Sequence, residues 1–294
     1  MIRFFLNPND DETNENRRLS GAKILPNILT IAALCIGLTA LRFGVEFKWT
    51  NAMLLVLIAA VLDGLDGMVA RLLKASSPFG AELDSLSDFV SFGVVPSVLL
   101  YQWSLRDADP FGWVASLLLC VAVALRLARF NVKNSTPAAS SETPATQKSF
   151  FEGVPAPAGA ILALVPMMVG FKIYSDDPEG APNSYLVAIW VIFIAGLMVS
   201  RLPTFSLKRL RLRQRHTFPI LVLAALFASA LASEPWLTLI LCSLGYLASI
   251  PYAVKRYKLM YETPTVAVVT PEAQESTEEF STSAKENAGV TETI

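Results

Sequence analysis

The chain has 294 residues, of which 53% are hydrophobic and only 17% are charged. This composition is too apolar for an ordinary soluble domain. The net charge of −1 says little by itself, because the distribution of the charges along the chain carries the information.

Eight apolar stretches recur along the chain, and each is long enough to cross a bilayer. They cover approximately residues 26–43, 51–73, 80–103, 112–130, 156–173, 184–200, 218–233 and 236–254. We therefore expect an all-α integral membrane protein with about eight transmembrane helices. A polar cytoplasmic segment, 1–23, precedes this membrane domain, 24–258, and the Glu-, Ser- and Thr-rich residues 259–294 are typical of a disordered acidic tail.

The basic residues predict how the helices are oriented. Eight spans place both termini on one side, and all but four of the 24 Lys and Arg residues fall on that side. Cytoplasmic loops of membrane proteins carry an excess of Lys and Arg, so we expect both termini to face the cytoplasm from the inner membrane. The basic run Lys208–Arg215 has no interleaved aromatic residues, and we expect it to contact anionic lipid headgroups rather than nucleic acid.

Four carboxylates interrupt the second and third apolar stretches: Asp63, Asp66, Asp84 and Asp88. Each would cost roughly 2.5–3.5 kcal/mol near the centre of a bilayer-spanning helix. The members of each pair are three or four residues apart, so each pair shares one helix face. The two helices run in opposite directions, which places both pairs near the cytoplasmic face. Like charges this close stay ionised only with a cation among them, and oxygen ligands favour Mg²⁺ or Mn²⁺.

Two alternative roles for these acids stay open from the residues alone. The carboxylates could pair with Arg71 and Lys74 and simply hold two helices together, although two cations against four acids leave an excess of negative charge. Acids inside membranes also mark ion pathways, so a cation transporter or channel is the alternative from outside the enzymes. An ion pathway predicts acids spread through the membrane depth, whereas these cluster near one face.

The acids belong to a longer motif over residues 63–88, D-x2-D-G-x2-A-R-x8-G-x3-D-x3-D. This run resembles the signature of the CDP-alcohol phosphotransferases, with Asp63 as the usual upstream acid. The resemblance implies a membrane-embedded helical enzyme, usually a homodimer, with a polar active-site cavity at the cytoplasmic face. Such an enzyme transfers a phosphoalkyl group from a CDP-linked donor to an alcohol and releases CMP.

Further segments resemble the branch of that family that uses CDP-diacylglycerol and L-serine. They are Pro26–Thr30, Ser87–Pro96, Arg126–Asn131 and Phe151–Ala158. The implied reaction transfers the phosphatidyl group of CDP-diacylglycerol to the serine hydroxyl, giving phosphatidylserine and CMP. Glycerol 3-phosphate, inositol phosphate and choline are the alternative acceptors.

The resemblance also implies roles for particular side chains. Asp63, Asp66 and Asp84 would be the main metal ligands, and Asp88 would contribute to a second metal and act as the general base. The residues expected to bind the CDP-alcohol are Asn27, Thr30, Gly67, Arg71 and Ser77. The alternative for Asn27 and Thr30 is a cap at the start of the first membrane helix, and for Ser77 it is an ordinary helix N-cap.

Arg126 and Arg129 lie three residues apart near the cytoplasmic end of the fourth span. We expect an anion clamp for the acceptor carboxylate or the transferred phosphate, which Asn131 and Lys133 would join. The alternative is that both arginines only extend to the membrane interface. Serine carries a carboxylate and an ammonium group, so a basic pocket beside an acidic metal site favours serine over a neutral polyol.

Overall fold

The computed structural model describes residues 9–73, 75, 77–135, 150–173, 182–200, 203–205 and 217–261 of the chain. Most of these residues are helical. The helices are α1 (Asn9–Val45), α2 (Trp49–Leu72), α3 (Pro78–Asp88), α4 (Val95–Trp103), α5 (Phe111–Ser135), α6 (Ala156–Ala163), α7 (Val165–Ile173), α8 (Ser184–Val199), α9 (Thr217–Ser233) and α10 (Pro235–Tyr261). A π-helical segment, Phe89–Val94, joins α3 to α4, and a 3₁₀ turn, Leu105–Ala108, follows α4.

The eight predicted apolar stretches all coincide with helical segments. Within the described part of the chain, six helical segments are long and apolar enough to cross a membrane: Ile24–Val45, Trp49–Leu72, Pro78–Trp103, Phe111–Val132, Ala156–Ile173 and Pro235–Tyr252. Helices α8 and α9 are apolar but shorter, with 16 and 17 residues. The all-α membrane fold is thus confirmed, while the number of spans stays a prediction.

The helices extend beyond the predicted limits of the membrane domain at both ends. Helix α1 begins at Asn9, inside the predicted polar segment, and α10 continues to Tyr261, after which the chain lies outside the described residues. Because α1 runs without a break through Pro26, both Asn27 and Thr30 lie in its interior. The alternative of a cap at the helix start is therefore wrong for these two residues.

Small residues on one face of α1 let this helix approach its neighbours closely. Ala33, Gly37, Ala40 and Gly44 follow the i, i+4, i+7, i+11 spacing of a single helix face, and all four are buried. A Cβ added at Gly37 would lie 2.8 Å from Oγ of Ser91 in the π-helical segment. Helix α1 consequently packs against α2, α3 and α4 at once.

The third membrane segment starts and bends for local reasons. Ser77 caps α3, because its Oγ accepts a hydrogen bond from the backbone N–H of Gly80 at 3.0 Å, and Pro78 occupies the first turn, where its missing N–H is harmless. After Asp88 the helix widens, and the N–H of Val95 donates to the carbonyl of Val90, five residues back. Pro96 lies in the first turn of α4, and proline has no N–H for the regular i→i−4 bond.

The apolar core is formed by α5 and the helices that pack against it. Helix α5 packs against α4, α8 and the π-helical segment, and α6 packs against α8. Phe92, Leu99, Leu119, Ile194 and Met198 are among its fully buried side chains. The described side chains of α9 are instead exposed along the helix, as expected of a surface that faces lipid.

A short sheet was not predicted. Strand β1, Phe150–Glu152, pairs antiparallel with β2, Pro203–Phe205, and Phe150 lies opposite Phe205. These strands belong to the connections that follow α5 and α8. Because α5 and α8 pack together, their connections emerge side by side and the backbones can pair.

We expect Gly112→Ala to lower the thermal unfolding midpoint of the purified chain in detergent. The new Cβ would overlap the backbone carbonyl of Leu105, so α5 or the 3₁₀ turn must shift. Overpacking of this kind costs about 1–3 kcal/mol. Gly245→Ala is the matched control, since no neighbouring atom lies within 4 Å of its added Cβ. Equal midpoints for the two variants would contradict this packing.

Candidate active site

Three of the four predicted acids converge. Asp63 and Asp66 on α2 and Asp84 on α3 each place a carboxylate oxygen within 4.8 Å of the others. Asp66 is the most enclosed of them, with 3% of its surface exposed. The first acidic pair and Asp84 of the second therefore meet, as the spacing predicted.

Asp88 lies beside this cluster and contacts it through Asp63. The two carboxyl groups are close enough to hydrogen-bond, which requires a proton or a cation between them. The Oδ1 oxygen of Asp88 is buried and accepts no hydrogen bond from a donor of the described residues.

No ion pair among the described residues joins a basic side chain to Asp63, Asp66 or Asp84. The ion pairs found there join Arg42 and Lys48 to Glu46 and Lys172 to Glu234, away from the cluster. Lys74 lies outside the described residues. Among the described residues, Arg71 forms no ion pair with these acids, so the alternative that it holds the two helices together is not supported. Converging, uncompensated carboxylates are the donor set that Mg²⁺ and Mn²⁺ prefer.

Thr30 ties α1 to the acid cluster. Its hydroxyl lies 2.7 Å from Oδ2 of Asp66 and 3.0 Å from the backbone carbonyl of Pro26. Its own backbone carbonyl accepts a hydrogen bond from Oγ of Ser87 at 3.3 Å. Thr30 is 4% exposed, so a single buried residue contacts both acid-bearing helices.

A cavity of about 220 Å³ opens beside Asp66 and Asp84. Helix α1, the end of α2 and the start of α3 form its walls. It is lined by all five residues predicted to bind the CDP-alcohol, namely Asn27, Thr30, Gly67, Arg71 and Ser77. The predicted nucleotide-binding residues therefore line one cavity together with Asp66 and Asp84.

Two glycines shape this cavity in different ways. A Cβ at Gly80 would lie 2.8 Å from Oδ1 of Asn27 and 3.0 Å from Oγ of Ser77, so glycine lets α3 approach α1. A Cβ at Gly67 would meet only the Arg71 guanidinium, at 3.7 Å. Gly67 therefore leaves open space in the wall. Ser77 caps α3 and also lines the cavity, so its two predicted roles are compatible.

The predicted basic clamp is divided by the structure. Arg129 donates from its guanidinium to the backbone carbonyl of Val199, at the end of α8, at 3.0 Å. Asn131 exchanges hydrogen bonds with Ser85 of α3 at 3.0 and 3.2 Å. Arg126 lies in electrostatic contact with Asp88, and its buried Nε has no hydrogen-bond partner. The side chain of Lys133 lies outside the described residues.

Sequence reasoning missed two serines that join the acid-bearing helix α3 to its neighbours. Ser85 contacts Asn131 of α5, and Ser87 contacts the backbone of Thr30. Ser85 directly follows Asp84 and Ser87 directly precedes Asp88. This adjacency to the motif acids is the sequence signal that could have indicated them.

A larger cavity, about 310 Å³, lies between α4 and α5 toward the other end of these helices. Its lining includes Ser97, Tyr101, Arg106 and Trp113 but no carboxylate. The candidate site is therefore the smaller cavity, where polar groups and acids converge.

Comparison with known proteins gives a consistent result. The family model described as CDP-alcohol phosphatidyltransferase matches residues 23–200, and a model described as CDP-alcohol phosphatidyltransferase 2 matches residues 217–251. A CDP-diacylglycerol–serine O-phosphatidyltransferase of Mycobacterium leprae is 37% identical over 85% of this chain and 80% of its own length. A relative of that name from Helicobacter pylori is 29% identical over 72% of this chain and 83% of its own length. A third, from Methanocaldococcus jannaschii, is 39% identical over 51% of this chain and 61% of its own length.

The division of the clamp predicts different effects on stability. Arg129→Met removes a charged hydrogen bond to Val199, which should destabilise the fold by about 1.5–3 kcal/mol. Arg126→Met removes a guanidinium whose Nε bonds nothing, so the loss should be smaller. Thermal unfolding of both variants in the same detergent measures the difference, and a larger loss for Arg126→Met would contradict the assignment.

Proposed function

The chain belongs to the CDP-alcohol phosphatidyltransferase family, and we propose that it transfers the phosphatidyl group of CDP-diacylglycerol to L-serine, giving phosphatidylserine and CMP. The observation that carries this proposal is the single cavity in which Asp66 and Asp84 adjoin all five predicted nucleotide-binding residues. The serine-specific names of the relatives support the choice of acceptor.

Asp63, Asp66 and Asp84 are the residues that would hold a divalent cation, Mg²⁺ or Mn²⁺, with Asp88 beside them. Their convergence without a basic partner among the described residues fits such an ion. When bound, the cation would neutralise charge on the diphosphate and stabilise the departing CMP. The protein contributes the carboxylates and, through α1, their placement.

The nucleotide end of the donor fits the cavity walls. Arg71, with its planar guanidinium, would bind the phosphates, and Ser77 would add a hydroxyl. Asn27 would contact the nucleotide from α1, and the open space at Gly67 would admit the cytidine. The acyl chains of the donor would stay in the bilayer while its diphosphate reaches the polar cavity.

Asp88 is suited to act as the general base. Its Oδ1 is buried and unpartnered, so it can take the proton of the serine hydroxyl. The serine oxygen then forms the new bond to the phosphatidyl phosphorus, and the bond from that phosphorus to CMP breaks. One proton passes to Asp88 and one CMP leaves per phosphatidylserine formed.

Arg126 is the side chain that we assign to the acceptor carboxylate. Among the side chains expected there, Arg129 contacts α8 and Asn131 contacts α3, whereas Nε of Arg126 has no hydrogen-bond partner. A carboxylate bound by Arg126 would hold the serine hydroxyl near the base. The predicted homodimer and the inner-membrane orientation with cytoplasmic termini remain parts of this proposal.

An acceptor assay tests the proposal. The purified chain receives CDP-diacylglycerol and Mn²⁺ or Mg²⁺, and L-serine, glycerol 3-phosphate, inositol phosphate and choline are offered one at a time. We expect CMP release with serine. Release with another alcohol alone would reassign the acceptor, and no release with any of them would favour the transporter or channel.

Asp88→Asn should still bind CMP while its turnover falls by roughly 10²–10⁴-fold, the usual contribution of a general base.

Arg126→Met should raise the KM for serine by roughly 10-fold or more, because a charged hydrogen bond contributes about 1.5–3 kcal/mol. The KM for CDP-diacylglycerol should change little, since Arg126 does not line the nucleotide cavity. Initial rates over a serine series at saturating donor, and over a donor series at saturating serine, give both constants. A raised donor KM with an unchanged serine KM would refute the assignment.

A further inference from the structure

Thr30 was predicted to bind the nucleotide, but its hydroxyl already has protein partners. Its Oγ1 lies 2.7 Å from Oδ2 of Asp66 and 3.0 Å from the carbonyl oxygen of Pro26. A threonine hydroxyl carries only one hydrogen, so it can donate fully to only one of these acceptors. The carboxylate is closer, and hydrogen bonds to ionised acceptors are the stronger kind.

We propose that Thr30 is a positioning residue that fixes the rotamer of Asp66 so that this carboxylate faces Asp63 and Asp84. This inference deepens the proposed function and rests on the metal centre proposed there. The hydrogen bond to Oδ2 restricts rotation of the Asp66 carboxylate, one oxygen of which lies within 4.8 Å of oxygens of Asp63 and Asp84. Side chains that hold a metal ligand in this way commonly change metal affinity by 10–100-fold when they are lost.

The second contact of Thr30 gives it a role for both acid-bearing helices. Its carbonyl accepts the hydrogen bond from Ser87 of α3, which neighbours Asp88. Both Thr30 and Ser87 are almost fully buried, at 4% and 2% exposure. Thr30 therefore positions Asp66 through its side chain and holds α3 through its backbone. A substitution of the side chain removes the first contact and leaves the second in place.

The chain offers a matched control on the same helix. Thr39 donates to the carbonyl of Cys35, four residues back, just as Thr30 approaches that of Pro26, but Thr39 is exposed and bonds no carboxylate. Thr30→Val and Thr39→Val thus remove the same group from α1, and only the first removes a bond to Asp66. Thr30→Ser keeps the hydroxyl and should behave like the unmodified chain.

The experiment measures binding of Mn²⁺ to the purified full chain by electron paramagnetic resonance, without substrate. We expect Thr30→Val to weaken Mn²⁺ binding about 10–100-fold, while Thr30→Ser and Thr39→Val bind as the unmodified chain does. CMP affinity at saturating Mn²⁺ should be the same for all four proteins. Thr30→Ala repeats the test should the valine variant not fold.

The outcomes separate the two proposals. Equal Mn²⁺ affinity of Thr30→Val and the unmodified chain would overturn the positioning role and leave the metal centre standing. A weakened CMP affinity with intact Mn²⁺ binding would also overturn it, in favour of direct nucleotide contact. An unmodified chain that binds no Mn²⁺ would overturn the metal centre and the role of Thr30 together.

Discussion

A carboxylate inside an apolar helix must be compensated, and this requirement organises the first three helices. Each such group costs roughly 2.5–3.5 kcal/mol in the bilayer, yet Asp66 is buried to 3% exposure without a basic partner among the described residues. Its carboxylate accepts hydrogen bonds from the hydroxyl of Thr30 and from the backbone N–H of Gly67, which leave its negative charge unpaired. Asp63 and Asp84 add like charge at the same point, and one divalent cation bound there would neutralise all three carboxylates.

Helix α1 packs against the two acid-bearing helices and forms one wall of the cavity. Its buried small residues, Gly37 and Gly44 among them, bring its backbone against the π-helical segment and α4. At the other end, Gly80 removes the Cβ that would strike Asn27. The close approach of the helices therefore depends on these glycines. It lets the polar groups of α1 reach the acids.

Much of this arrangement follows from the sequence. The runs of apolar residues predict the membrane helices, and the spacing of Asp63, Asp66, Asp84 and Asp88 predicts acids on facing helix sides. The π-helical turn has a local signal in Pro96, but the pairing of β1 with β2 depends on how distant segments meet, which no local pattern encodes. For the same reason the sequence does not distinguish Arg126 from Arg129. Only Arg129 lies close enough to the end of α8 to bond the carbonyl of Val199.

The short length of α8 has a consequence for the lipid around it. Its 16 residues rise about 24 Å, whereas the hydrocarbon core of a typical bilayer is about 30 Å thick. A helix this short spans only where the bilayer thins locally or where neighbouring groups cover the mismatch. Arg129 of α5 bonds the last residue of α8, so a displacement of α8 that relieves such a mismatch would also pull on the helix that carries Arg126.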